Sequence, residues 1–287
     1  MYIFLDDRLV DASEAKVSVY DHGFLYGDGV YETMRAYEGV VFRLDEHIAR
    51  LVRSAELIHM KLPDKKELAC AVYEAVVANR LDNAYIRVTV SRGKGPIGLD
   101  PALCRKLTIV VIAETFHPYP EALYRDGVEL IISPVTRNFV GAIDPRIKSL
   151  NFLNNILAKI TAREQGAYEA IMCNFAGYLA EGTVSNIFFV RAGEVHTPSV
   201  EAGILDGITR EAVIGLARES GYAVHEGLYT PADIFAATEV FFTNTTAEVM
   251  PVCRVDDTRY EVGGVAGILR ECYRGEVEKY IRKSRER

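Results

Sequence analysis

The sequence predicts two α/β or α+β domains, each with helices packed outside mixed sheets. Segments with the apolar and polar alternation of strands are interspersed with segments whose apolar residues follow helical spacing. The chain has 287 residues, which is enough for two domains. The regular spacing of apolar residues lapses at a pair of nearby prolines, which is typical of an interdomain linker. We therefore expect a small N-terminal domain at 1–115, a linker at 116–126 and a larger domain at 127–287.

The N-terminal part is predicted to combine hairpins with two helices. The segments 2–10 and 29–44 are expected to form hairpins, since short turn signals interrupt their alternation. Asp45 and Asp64 each precede apolar residues at helical spacing and are expected to cap a helix. Two further strands are predicted at 84–91 and 107–114.

The C-terminal part is predicted to alternate strands and helices. After the linker we expect a strand at 128–136, a helix after Lys148, three short strands between 169 and 197, a helix at 209–219, a short helix after Pro231, strands at 239–243 and 248–255, and a final helix from about 265. The helix after Lys148 is expected to bury its apolar residues, which are Phe152, Leu153, Ile156, Leu157 and Ile160.

Composition argues against several kinds of partner. The formal net charge is −7 and both signs are interleaved, which leaves no basic stripe for a nucleic acid. The apolar runs are far shorter than the roughly 20 residues that span a bilayer, and the acidic Asp6 and Asp7 lie where a signal peptide would be basic. Scattered cysteines and histidines predict neither a disulfide framework nor a metal site. We expect a cytoplasmic protein without nucleic acid or membrane partners.

Two predicted strands place arginine and tyrosine on one face. In the second hairpin Tyr31, Thr33 and Arg35 share a face, because strand side chains alternate with a period of two. In the strand at 84–91, Tyr85 and Arg87 share a face in the same way. Such a face is too polar for a closed core, so it is predicted to line a pocket.

Lys148 lies where a turn passes into an apolar helix. A lysine that is partly desolvated becomes nucleophilic near neutral pH and can form an imine. A lone lysine is more often a solvated surface residue, so Lys148 by itself leaves both interpretations open.

A helix start and a glutamate add to the chemistry that Lys148 could support. The segment at 207–209 precedes a helix whose first amides suit a phosphate, although Thr209 could instead be a simple N-cap. Glu181 supplies a carboxylate. A lysine, a carboxylate, a phosphate site and arginines that face a pocket are the parts that a pyridoxal phosphate enzyme needs.

Six segments, in the same order, resemble those of the class IV aminotransferases, the fold type IV pyridoxal phosphate enzymes. The resemblance covers nearly the whole chain and implies the two-domain fold of that family and pyridoxal 5'-phosphate as cofactor. Agreement among independent motifs favours the chemical interpretation of Lys148. The segments are Tyr-Gly-Asp-Gly-Val-Tyr-Glu at 26–32, Leu-Asp-Glu-His-Ile-Ala-Arg-Leu at 44–51, Ile-Lys-Ser-Leu-Asn at 147–151, Glu-Gly-Thr-Val-Ser-Asn at 181–186, Leu-Asp-Gly-Ile-Thr-Arg at 205–210 and Thr-Asn-Thr-Thr-Ala-Glu-Val-Met-Pro-Val at 243–252.

The resemblance also implies a role for individual residues. Lys148 would form the imine with the cofactor and shuttle the reacting proton, and Glu181 would pair with the pyridine nitrogen. Leu205 would pack against the cofactor ring. Phe152 stands where the family often has a tyrosine that hydrogen-bonds the phenolic oxygen of the cofactor. The implied phosphate contacts are Arg50, the amides of Ile208 and Thr209, and Thr245. The implied substrate contacts are Tyr85, Arg87, Thr246 and Ala247 for the α-carboxylate, with Tyr26, Tyr31, Thr33 and Arg35 lining the remainder of the pocket.

Within this family the chain is most similar to the branched-chain aminotransferases. Tyr-Ile-Arg from Tyr85 and Met-Arg-Ala-Tyr from Met34 carry this likeness. The D-amino acid aminotransferases usually have a carboxylate trap whose second arginine and histidine are replaced here by Ile97 and Leu99. The expected reaction is a ping-pong transfer of the amino group of leucine, isoleucine or valine to 2-oxoglutarate, by a homodimer.

Departures from the branched-chain pattern keep other functions open. Thr33 stands in place of glycine, Val184-Ser185 replaces a glycine and an acidic residue, and Asn244-Thr245-Thr246 replaces Gly-Thr-Ala. The motif at 181–188 also resembles aminodeoxychorismate lyases of the same fold. A D-amino acid aminotransferase with a different trap, using Arg35, Arg87 or Arg137, a lyase and a non-catalytic cofactor-binding protein remain the alternatives.

Overall fold

The computed structural model describes residues 1–286, which divide into two compact units. The first unit comprises Met1–His117, Ile147–Asn151 and the residues from Lys279 onward, and the second comprises Pro118–Arg146 and Phe152–Glu278. The chain leaves the first unit inside the segment that the sequence predicts as a linker. Two short segments that the sequence places in the larger domain belong to the first unit.

The first unit is built on a six-stranded antiparallel sheet in the order β2-β1-β6-β5-β3-β4. The helices Leu44–Leu57 and Lys65–Ala78 pack on the face that carries the apolar core. The strands are β1 (Tyr2–Leu5), β2 (Arg8–Asp11), β3 (Gly29–Tyr37), β4 (Val40–Val41), β5 (Ala84–Ser91) and β6 (Thr108–Thr115). The helices are α1 (His22–Tyr26), α2 (Leu44–Leu57) and α3 (Lys65–Ala78), with a 3-10 turn at Pro101–Leu103.

The second unit contains a nine-stranded sheet in the order β12-β11-β10-β13-β14-β7-β8-β9, with β15 paired to β14. Parallel pairs join β7 to β8 and β14, and β11 to β12, so the sheet is mixed as predicted. The strands are β7 (Val128–Ile132), β8 (Glu169–Cys173), β9 (Leu179–Gly182), β10 (Asn186–Arg191), β11 (Glu194–Pro198), β12 (Val224–Gly227), β13 (Glu239–Asn244), β14 (Glu248–Val255) and β15 (Thr258–Arg259). The helices are α4 (Glu121–Asp126), α5 (Leu153–Glu164), α6 (Ile208–Glu219), α7 (Pro231–Phe235) and α8 (Val265–Arg285), with a 3-10 turn at Val200–Ala202.

The predicted fold class is confirmed, and so is one of the two helix starts in the first unit. Asp64 caps α3 by accepting a hydrogen bond from the Lys66 amide. The predicted cap at Asp45 is wrong, because α2 already begins at Leu44 and its N-cap is Arg43. None of the described helices combines the length and the apolarity needed to cross a membrane.

The two faces of the β3–β5 pair are those that the alternation predicts. Met34 pairs with Ile86 on the core face, and both side chains are fully buried. On the other face Arg35 pairs with Tyr85 and Thr33 pairs with Arg87. Because strand side chains alternate, burial of one face fixes the register that brings these polar residues together.

The burial predicted for α5 is wrong. This helix packs Ala158 and Ala162 against β7 and β8, because small side chains allow a close approach to the sheet. Its large apolar residues lie on the opposite side and are exposed to between 46% and 67% of their surface. These exposed residues are Leu153, Ile156, Leu157 and Ile160.

Candidate active site

Lys148 lies half-buried on an extended segment that runs beside β3 in the first unit. Its backbone N–H donates to Ser54 Oγ at 3.1 Å, and its carbonyl accepts from the Tyr31 N–H at 2.9 Å. The Lys148 Nζ lies 4.7 Å from the centroid of the Tyr31 ring. Both backbone groups are therefore fixed, and the amine is held against an aromatic face instead of extending into solvent.

A buried ionic cluster lies next to Tyr31 on β3. Glu32 is fully buried and accepts hydrogen bonds from Arg50 Nε at 2.6 Å and Nη2 at 2.9 Å. The His47 Nδ1 lies 2.8 Å from the same carboxylate. Arg50 is predicted to hold a phosphate, and in the structure at least two of its donors point to Glu32.

Electrostatics in this cluster follow from burial and charge. Burial would raise the pKa of Glu32, but the Arg50 charge and the hydrogen bonds from Arg50 and His47 outweigh it, so that pKa lies well below its usual range. Burial lowers the pKa of His47, against the opposing effect of Glu32. Glu32 is thus a buried anion beside a neutral imidazole at neutral pH. The role of Glu32 is not among the sequence predictions, although a glutamate between two core positions on one face of a strand signals a buried, paired charge.

The polar face of the first unit brings together most of the predicted substrate residues. The Arg87 guanidinium stacks over the Tyr31 ring at 4.0 Å, and Thr33 lies opposite Arg87. Burial raises the pKa of Tyr31, so its hydroxyl stays protonated at neutral pH. Tyr31 is therefore in contact with both the Arg87 guanidinium and the Lys148 amine.

Two other predicted pocket residues have contacts of their own. The Arg35 guanidinium lies between the Tyr37 ring at 4.1 Å and the Phe116 ring at 3.9 Å. Tyr26 ends α1, and its hydroxyl accepts a hydrogen bond from the Gly98 N–H at 3.1 Å. Tyr26 is therefore positioned by the loop that follows β5, whereas Arg35 is positioned by a ring on β3 and a ring just after β6.

Glu181 lies buried on β9 in the second unit, where three donors hold its carboxylate. Oε1 accepts from Arg137 Nε at 2.8 Å, and Oε2 accepts from the Leu205 N–H at 2.9 Å and from Asn186 Nδ2 at 3.4 Å. The salt bridge directs Arg137 to Glu181, which argues against Arg137 as a trap for a substrate carboxylate. Arg137 and Asn186 are partners of Glu181 that the sequence does not predict.

The start of α6 has the form of an anion site. Its N-cap is Gly207, which provides no side-chain cap, so the alternative interpretation of Thr209 as the N-cap is wrong. A Cβ at Gly207 would lie 2.0 Å from Asn186 Oδ1, so glycine is required for this close approach. Ile208 and Thr209 are buried in the first turn. Amides at a helix start without a side-chain cap are suited to a phosphate.

The remaining predicted residues of the second unit lie in two places. Phe152 is half-buried and takes the N-cap position of α5. Thr245, Thr246 and Ala247 form the loop of the β13–β14 hairpin. All the predicted cofactor residues other than Arg50 and Lys148 belong to this unit.

Comparison with known proteins shows the family. Residues 29–255 match the sequence model described as amino-transferase class IV. A putative branched-chain-amino-acid aminotransferase of Methanocaldococcus jannaschii is 45% identical over 278 residues, which is 96% of each chain. A D-alanine aminotransferase of Bacillus licheniformis is 38% identical over 264 residues, which is 89% of each chain.

Comparison with solved structures supports the same family. The crystal structure of a branched-chain aminotransferase from Thermoproteus uzoniensis, solved with norvaline, superposes with a TM-score of 0.91 at 38% identity. The superposition covers 98% of this chain and 97% of that chain. Sequence and fold therefore agree over almost the full length, and the chain belongs to the class IV aminotransferases, enzymes of fold type IV.

Proposed function

We propose that this aminotransferase moves the amino group of L-leucine, L-isoleucine or L-valine to 2-oxoglutarate in a ping-pong reaction. The substrate class rests on Ile97 and Leu99, which stand where the D-amino acid enzymes usually carry an arginine and a histidine. The relative from Methanocaldococcus jannaschii, which carries a branched-chain name, supports the same assignment.

Class IV aminotransferases use pyridoxal 5'-phosphate, and the side chains of each unit fit this cofactor. The first unit offers the Lys148 amine, held against an aromatic ring. The second offers a buried carboxylate at Glu181 for a pyridine nitrogen and a helix start without a side-chain cap for a phosphate. The residues assigned to cofactor binding are Lys148, Glu181, Leu205, Ile208, Thr209, Thr245, Phe152 and Arg50.

The chemistry divides between the cofactor and the chain. When bound, the cofactor supplies an aldehyde that links to amines and a ring that accepts electrons from the substrate α-carbon. Lys148 would be the nucleophile that holds the cofactor, and its Nζ would carry the proton from the substrate α-carbon to the former aldehyde carbon of the cofactor, and back in the second half-reaction. With the cofactor bound, Glu181 would keep a proton on the ring nitrogen, since its carboxylate is oriented by donors from Arg137, Asn186 and Leu205.

Substrate carboxylates need cationic or N–H donors. In the first unit Tyr85 and Arg87 present a hydroxyl and a guanidinium on the polar face of the sheet. In the second unit the hairpin loop carries the N–H groups of Thr246 and Ala247, which donate to Asn244 Oδ1 in the structure. We assign these four residues to the α-carboxylate, with Tyr26, Tyr31, Thr33 and Arg35 lining the pocket for the side chain.

Half-reactions test the proposed substrate directly. L-leucine should convert the bound aldehyde form of the cofactor to the amine form, and 2-oxoglutarate should reverse this, both followed by absorbance. A response to D-alanine or D-glutamate without one to L-leucine would select the D-amino acid alternative. Release of pyruvate and 4-aminobenzoate from aminodeoxychorismate would select the lyase. If the purified protein bound no pyridoxal phosphate, both aminotransferase functions and the lyase function would be excluded.

We also propose that the enzyme is a cytoplasmic homodimer. The four large apolar residues exposed on α5 support the dimer, because contiguous exposed apolar surface marks an interaction site. Sedimentation of the purified chain would distinguish a dimer from a monomer.

A further inference from the structure

The hairpin loop between β13 and β14 is closed by the side chain of Asn244. Asn244 pairs with Glu248 at the end of the ladder and leaves three loop residues at 245–247. The Asn244 Oδ1 accepts hydrogen bonds from the Thr246 N–H at 3.0 Å and from the Ala247 N–H at 2.7 Å. It also accepts from the Thr246 hydroxyl at 3.1 Å. One carboxamide oxygen therefore holds three donors of this loop.

Two successive N–H groups that converge on one point form an anion-binding nest. Backbone nests of this kind bind carboxylates in other proteins. In this loop the point where the two N–H groups converge is taken by a neutral oxygen of the same chain. A carboxylate is a stronger acceptor than a carboxamide, so it can displace Asn244, but it has to compete with it.

Two tyrosines brace the same loop from the segment before β7. The Tyr124 hydroxyl donates to the Ala247 carbonyl at 3.2 Å. The Tyr119 hydroxyl lies 3.2 Å from Thr246 Oγ1 and donates to it, since the Thr246 proton is given to Asn244. Both contacts come from outside the hairpin, so we expect them to hold the loop when the carboxamide leaves.

We propose that Asn244 is a specificity-determining residue that closes the N–H nest at Thr246 and Ala247 against carboxylates. This inference rests on the proposed function, in which those two N–H groups receive the substrate α-carboxylate. A binding site that is open only part of the time has an apparent dissociation constant raised by the reciprocal of its open fraction. Asn244 therefore lowers the affinity for every carboxylate that uses the nest.

The sequence itself suggests that this closure is a property of this chain. Asn244 and Thr246 stand where the branched-chain pattern has glycine and alanine. Glycine has no acceptor to offer the nest, and alanine has no hydroxyl to strengthen the closure. In the structure the side chains of these two departures are joined by a hydrogen bond and together close the nest.

Three variants of the cofactor-loaded enzyme test the proposal. The measured quantity is the dissociation constant of 4-methylpentanoate, obtained by calorimetric titration. This carboxylate has the carbon skeleton of leucine and no amino group. Asn244→Ala removes the acceptor, so its dissociation constant should fall about threefold to tenfold. Asn244→Asp keeps an acceptor in the nest and adds a negative charge, so its dissociation constant should rise. Tyr124→Phe removes one contact that holds the loop and leaves Asn244 in the nest, so the dissociation constant of this variant should not fall below the wild-type value.

The opposite signs of the two Asn244 variants separate this proposal from a purely structural role. If Asn244 only stabilised the loop, alanine would weaken binding and aspartate would restore it, and that result would overturn the proposal. The KM for L-leucine should fall in Asn244→Ala by a larger factor than kcat changes. A wild-type enzyme inert toward all L-amino acids would refute the proposed function. An active wild-type enzyme whose alanine variant bound no tighter would refute only the role of Asn244.

Discussion

Lys148→Ala is expected to lose transamination by at least about 10³-fold while the protein keeps its fold. The substitution removes the nucleophile and the proton carrier. It leaves the backbone bonds of Lys148 to Ser54 and Tyr31, which position the segment beside β3. Activity should be measured with L-leucine and 2-oxoglutarate, and the fold by circular dichroism and thermal melting.

A second lysine of the first unit provides a matched control. Lys61 is exposed and lies outside the polar sheet face, so Lys61→Ala should retain wild-type activity. Full activity of Lys148→Ala would remove the central residue of the proposed reaction. Gross unfolding of Lys148→Ala would mean that its side chain supports the fold instead.

Glu181→Gln is expected to have the second largest effect, because it changes both chemistry and stability. A neutral amide cannot keep a proton on the pyridine nitrogen by charge, so kcat should fall on the order of 10²–10³-fold. The buried Arg137 also loses its counter-charge, which should lower the free energy of unfolding by up to about 3–5 kcal/mol. Kinetics and denaturant unfolding measure the two effects separately.

A double variant separates the two consequences. Replacing Arg137 with leucine in the Glu181→Gln background removes the unpaired buried charge, so much of the lost stability should return. Activity should not return, because the charge at Glu181 is still absent. If activity recovered together with stability, Glu181 would be a structural residue and its proposed role at the ring nitrogen would be wrong.

Local patterns predicted the polar sheet face and one helix cap. The alternation places Thr33 and Arg35 on one face of β3, and Tyr85 and Arg87 on one face of β5. The structure confirms these faces and pairs Arg35 with Tyr85 and Thr33 with Arg87. This works because a strand has a fixed period and one of its faces must be buried. The helix cap at Asp64 is also predictable from local sequence, because its side chain accepts a hydrogen bond from an amide only two residues away.

Other features depend on contacts between distant parts of the chain and have no local signature. The salt bridge between Arg137 and Glu181 joins residues 44 positions apart. The segment around Lys148 pairs with β3, more than a hundred residues earlier. The error in α5 has a different origin, because that helix carries apolar residues on two sides and only packing decides which side the sheet covers.

The central claim is that Lys148 carries the cofactor, and borohydride reduction of the cofactor-loaded enzyme tests it most directly. The yellow protein should lose its visible absorbance, and the cofactor should remain attached after denaturation. Digestion followed by mass spectrometry should find the added mass on Lys148. Attachment at a different lysine, or complete release of the cofactor on denaturation, would contradict the account.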